Sequence, residues 1–73
     1  MSTLQTWEYC TVEWLWNDSN IRVTRPIQSD DFQKGSYAEV VQTLTQLGSE
    51  GWEVASCAGT ANWLFWTLKR STQ

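Results

Sequence analysis

The chain has 73 residues and a net charge of −3, and it carries six tryptophans, two cysteines and no histidine. That acidity argues against a binder of nucleic-acid polymers, which normally presents a basic face, and the missing histidine removes the commonest general acid–base group and the usual activator of a cysteine nucleophile. Two cysteines alone complete neither a tetrahedral zinc site nor the disulfide framework of a secreted miniprotein, so no catalytic residue, metal or cofactor is assigned, and Cys10 and Cys57 are expected to be reduced.

Residues 1–6 are polar and are expected to form a disordered N-terminus, as are residues 71–73 at the other end, leaving 7–70 as a single domain. The run Trp7 to Trp16 is rich in aromatic and β-branched residues and predicts a long first strand. Alternation along it places Trp7, Tyr9, Thr11, Glu13 and Leu15 on one face, and Glu8, Cys10, Val12, Trp14 and Trp16 on the other. Asn17-Asp18-Ser19-Asn20 is a concentrated turn signal, so a hairpin is expected. Ile21 to Arg25 is the second strand; it stops at Pro26, whose missing N–H suits a sheet edge. Ile27 to Gly35 reads as a surface loop pinned by Phe32.

Ser36-Tyr37-Ala38-Glu39 has the spacing of a capping box and starts a helix. Tyr37, Val40, Val41, Leu44 and Leu47 recur at helical spacing as one apolar stripe, and Gly48 supplies a left-handed stop. Trp52 to Ala58 alternates as a third strand, with the Trp52 ring folded under the helix just completed. Gly59 to Asn62 turns the chain into a fourth strand, Trp63 to Arg70, with Trp63, Phe65 and Thr67 opposite Leu64, Trp66 and Leu68. The predicted class is α+β in the order ββαββ, with one four-stranded, mainly antiparallel sheet and a single helix on one face.

The segments Trp7-Glu8-Tyr9, then Leu44-Thr45-Gln46-Leu47-Gly48-Ser49-Glu50-Gly51-Trp52-Glu53-Val54, then Leu64-Phe65-Trp66-Thr67-Leu68-Lys69-Arg70 together resemble a family of small bacterial and phage domains of unknown function. Their shared pattern is W-E-Y, L-x-x-L-G-x-E-G-W-E-V and an apolar strand ending in Lys-Arg. The likeness covers most of the chain. It implies architecture and a bacterial or phage origin, and no catalytic residues. The Trp14-Leu15-Trp16 hairpin departs from the plainer first strand of that pattern.

The last strand is apolar on both faces, which suggests a sheet covered on both sides. One helix covers one side only, and a chain this short has no further layer to offer. Trp14, Trp16, Trp63 and Trp66 are therefore the surplus aromatic surface, expected to cluster where a partner sits. Two readings follow. The first is a non-enzymatic homo-oligomeric module that self-associates through a tryptophan-rich sheet face or edge. The second is a protein that binds or sequesters a small anionic, nucleotide-like ligand, as a phage anti-defence protein would, stacking it on indole and holding it with Arg22 and Arg25. No leader pattern and no apolar run of bilayer length are visible, so a cytoplasmic chain with no membrane partner is expected.

Overall fold

The computed structural model describes residues 4–28 and 30–72. The elements are β1 (Trp7–Leu15), β2 (Asn20–Thr24), β3 (Asp31–Lys34), α1 (Tyr37–Ser49), β4 (Glu53–Thr60) and β5 (Trp63–Ser71). All neighbours pair antiparallel in the order β3-β2-β1-β5-β4. The class is α+β as predicted, but the sheet has five strands and not four. The extra strand is Asp31–Lys34, inside the segment read as a surface loop. Its four residues are all exposed and mostly polar, so they lack the alternation that marks a strand in sequence. Pairing with β2 supplies the order instead, and β2 becomes an interior strand.

The core lies between α1 and one face of the sheet. Cys10 and Val12 from β1, Ile21 and Val23 from β2, and Trp66 and Leu68 from β5 pack against Val40, Leu47 and Trp52. Trp14, Leu44 and Leu64 extend this cluster from its rim. Burial of each large apolar side chain contributes about 1.5–3 kcal/mol, so these few residues carry most of the folding energy. The sheet's other face has no layer over it among the described residues.

Both helix ends differ from the sequence expectation. Ser36 is the N-cap in extended conformation, but its hydroxyl donates to Glu39 Oε2 at 2.6 Å and bonds no backbone amide. At the far end the helix runs through Gly48 to Ser49, and the left-handed residue is Gly51, at φ +96°. The Trp52 amide then returns to the Leu47 carbonyl at 3.1 Å, which folds the indole under the last turn. Arg70 completes this corner. Its guanidinium lies 4.4 Å from the Trp52 ring centroid, its Nε donates to Glu8 Oε2 at 2.6 Å, and its Nη1 donates to the Glu50 carbonyl at 2.8 Å.

Of the termini expected to be disordered, residues 1–3 and 73 lie outside the described residues. Within the described part, the Thr72 amide donates to the Thr6 carbonyl at 3.2 Å and continues the β1–β5 ladder beyond Trp7. Gly59 and Thr60, read as turn, belong to β4, and the reversal is confined to Ala61 and Asn62.

Candidate functional site

The strand registers set out the uncovered face of the sheet in rows. At one end Leu15 lies beside Trp63, and the next row runs Phe32, Arg22, Glu13, Phe65, Ala58 across all five strands. A row of hydroxyls follows at the middle: Thr24, Thr11, Thr67 and Ser56. Beyond it lie Tyr9, Lys69 and Glu53, and Trp7 closes the far end of β1. Side chains two apart along a strand share a face, so the alternation Trp7-x-Tyr9 and Trp63-x-Phe65 makes both ends of this face aromatic. Trp63 and Phe65 stack on one another with centroids 5.4 Å apart. Tyr9 and Phe32 stand out from the sheet at 55% and 69% exposed.

Four of the charges on this face pair within it, while Lys34, in the row of Asn20, Leu15 and Trp63, donates its Nζ to the Asp18 carbonyl at 3.0 Å. Glu13 Oε1 accepts from Arg22 Nε at 3.1 Å and from Nη2 at 2.5 Å, while Glu13 Oε2 accepts from the Trp63 indole N–H at 3.2 Å. The bond to Glu13 raises the guanidinium pKa of Arg22 above its ordinary value. Lys69 Nζ lies 4.4 Å above the Trp7 ring and 3.9 Å from Glu53 Oε1.

The structure does not gather the four surplus tryptophans into one cluster. Trp66 is a core residue, 7% exposed. Trp63 lies on the uncovered face. Trp14 is on the helix side, where its indole N–H donates to the Gly35 carbonyl at 3.1 Å and its ring stacks on Tyr37 at 5.3 Å and 6° between planes. Trp16 leans on Trp14, with centroids 5.8 Å apart. Trp14 therefore braces β1 against the segment leading into α1. Periodicity shows the face a tryptophan occupies, but a partner 23 positions away such as Tyr37 leaves no mark in the spacing.

Arg22 and Arg25 also fall apart. Arg22 is on the uncovered face, whereas Arg25 donates to Asp31 Oδ2 at 2.5 Å in a cleft of about 290 Å³ between α1 and β2–β3. Gln33, Gln42, Thr43 and Gln46 line the rest of that cleft. Trp7, Tyr9, Phe32 and Phe65, which make up most of the aromatic face, were not among the expected site residues. Phe32 was hidden by the unrecognised strand.

Among the described residues, no three cysteines, aspartates or glutamates come together to hold a metal ion, and no helix is long and apolar enough to cross a membrane. Cys10 is buried and Cys57 exposed, both as free thiols. Comparison of the chain with protein-family models, with curated proteins and with solved structures gives no match.

Proposed function

We propose that the chain is a non-enzymatic, homo-oligomeric interaction module whose uncovered sheet face packs on the same face of a second copy. The observation that carries this reading is a face with aromatic rings at both ends and two internal charge pairs. Because both ends carry rings, either two-fold axis lying in the plane of the contact sets a ring-bearing end on a ring-bearing end. Isologous contacts require such self-matching. The five strands, nine, five, four, eight and nine residues long, at about 3.3 Å per residue and about 4.8 Å between strands, present on the order of 550 Å². That is about two thirds of the roughly 800 Å² per partner of a stable interface. Tryptophan, tyrosine and phenylalanine are the side chains enriched in such contacts.

The reading as a binder of an anionic, nucleotide-like ligand has weaker support. It calls for free cations beside a stacking ring, but Arg22, Arg25 and Arg70 each bond a carboxylate. Arg22 and Arg25 also face opposite sides of the sheet.

Phe65→Lys tests the proposal, since it adds a charge within one aromatic end of the face and leaves the core residues in place. Sedimentation velocity should show the variant dissociating at concentrations where the unaltered chain is associated, with its circular dichroism preserved. Unchanged association in a folded variant refutes the face-to-face contact.

A further inference from the structure

The two edges of the sheet are built differently. The β3 edge is only four residues long, follows Pro26, and carries Asp31 and Lys34. Short length, nearby proline and charge are the usual devices that keep a sheet edge from pairing with another chain. The β4 edge is eight residues long, and between Glu53 and Thr60 it reads Val-Ala-Ser-Cys-Ala-Gly, with no charge and no proline. The register shift between Val54 and Ser56 is the one such device among its described residues, and Ser56–Thr60 beyond it pairs regularly with β5. A regular, uncharged edge run presents unpaired N–H and C=O groups as a template for another strand.

β4 is bare on its faces as well. All eight of its residues are exposed. α1 is tied toward the opposite edge, where Gln33 Nε2 on β3 donates to Thr43 Oγ1 at 2.8 Å. Val54, Cys57 and Gly59 pair with Leu68, Trp66 and Leu64 and so share the helix side of the sheet, yet all three are exposed among the described residues. On the helix, Val41 lies one turn-step round from Val40 on the side away from Thr43, and it is 52% exposed. Val54 on β4 is 50% exposed, so each of the two elements leaves a valine open.

We propose that β4 is a strand-addition site and that its occupant is β4 of a second copy, paired antiparallel about a two-fold axis perpendicular to the sheet. Charge and side-chain size favour this occupant. A register centred on Cys57 sets Glu53 opposite Ala61 of the other copy, so no like charges meet across the pair. The small side chains from Ala55 to Gly59 put little bulk above or below the junction, and the two-fold axis leaves both helices on the same side of the joined sheet. This contact uses the edge and the helix side of β4, whereas the contact proposed above uses the opposite side of the sheet. The two are independent, and a molecule making both would be two ten-stranded sheets packed face to face.

Residues directly opposite in an antiparallel pair have Cα atoms about 4.5–5.5 Å apart, within the span a disulfide bridges. Cys57 therefore reports the register. The test oxidises the full-length chain with a mild thiol oxidant at micromolar concentration and follows covalent dimer against time. A Cys57→Ser, Ala61→Cys double variant serves as the comparison, because Ala61 is equally exposed but lies about eight strand residues from its own copy across the proposed axis, roughly 26 Å. Cross-linking through Cys57 should be at least about tenfold faster than through the cysteine placed at 61. It should persist in Phe65→Lys, which disrupts only the face contact. Equal rates at the two positions overturn the edge pairing, including the case in which the edge serves an unrelated peptide strand. A fall in Phe65→Lys from a larger assembly to a dimer, with rapid Cys57 cross-linking retained, supports both contacts, and unchanged association with rapid cross-linking removes the face contact alone.

Discussion

The indole N–H of Trp63 donates to Glu13 Oε2 at 3.2 Å, one diagonal step across the β1–β5 ladder, on the side of the sheet that no helix covers. The other oxygen of the same carboxylate holds Arg22. One acidic residue thus orients an aromatic ring and pairs a cation near one end of the uncovered face.

Glu13→Ala should remove all three hydrogen bonds and leave the guanidinium of Arg22 without its carboxylate. Charge-assisted hydrogen bonds contribute about 1.5–3 kcal/mol when well buried, and Arg22 is partly open to solvent, so a loss of about 1–2 kcal/mol in urea unfolding is expected. Association should weaken in the same variant, because an unpaired cation then faces the partner.

The two glycines at the end of α1 should respond oppositely to alanine. Gly48 is helical, with nothing within 4 Å of an added Cβ, so Gly48→Ala should stabilise the fold by about 0.5–1 kcal/mol. Gly51 is at φ +96°, a conformation that L side chains rarely adopt, so Gly51→Ala should cost about 1–2 kcal/mol. Chemical denaturation of the two variants measures both signs.

Tryptophan replacements should sort by location. Trp66→Ala empties part of the core and should cost about 3–5 kcal/mol, enough to unfold much of so small a domain. Trp16→Ala, at a 46% exposed hairpin tip, should cost less than about 1 kcal/mol. Thermal melts by circular dichroism distinguish these outcomes.

Burial pushes the Cys10 thiol above its ordinary value of 9.0, against the opposing pull of Arg25 and Arg70. The folded state therefore favours the neutral thiol. Its contribution is fully present below 9.0 and is lost as pH rises from there through the higher folded value, because the unfolded chain ionises first. In a Cys57→Ser background, thiol reagents at about pH 8 should label nothing until the chain is unfolded, and then one thiol. The stability difference from a further Cys10→Ala change should shrink above pH 9.

Residue spacing carried much of the sheet's logic. The alternation Cys10, Val12, Trp14 against Tyr9, Thr11, Glu13 assigned the faces of β1, and Leu64, Trp66, Leu68 did the same for β5, because a half-buried strand must alternate. β3 was not legible, since Asp31–Lys34 acquires strand form from hydrogen bonds to β2 and not from its own composition. The glycine that stops the helix was placed three residues early, because Gly48 and Gly51 offer the same freedom and only the Trp52 amide's return to Leu47 selects between them. The site was half legible: tryptophan count showed that apolar surface is in excess, while long-range contacts such as Trp14 with Tyr37 decide which rings are used up inside the monomer.

The most direct test of the account is the mass of the unaltered chain in solution by sedimentation equilibrium at micromolar concentration. Self-association predicts a mass of at least twice the 8.5 kDa chain, rising toward four times that value if both contacts are made. A single species at 8.5 kDa across that range contradicts it.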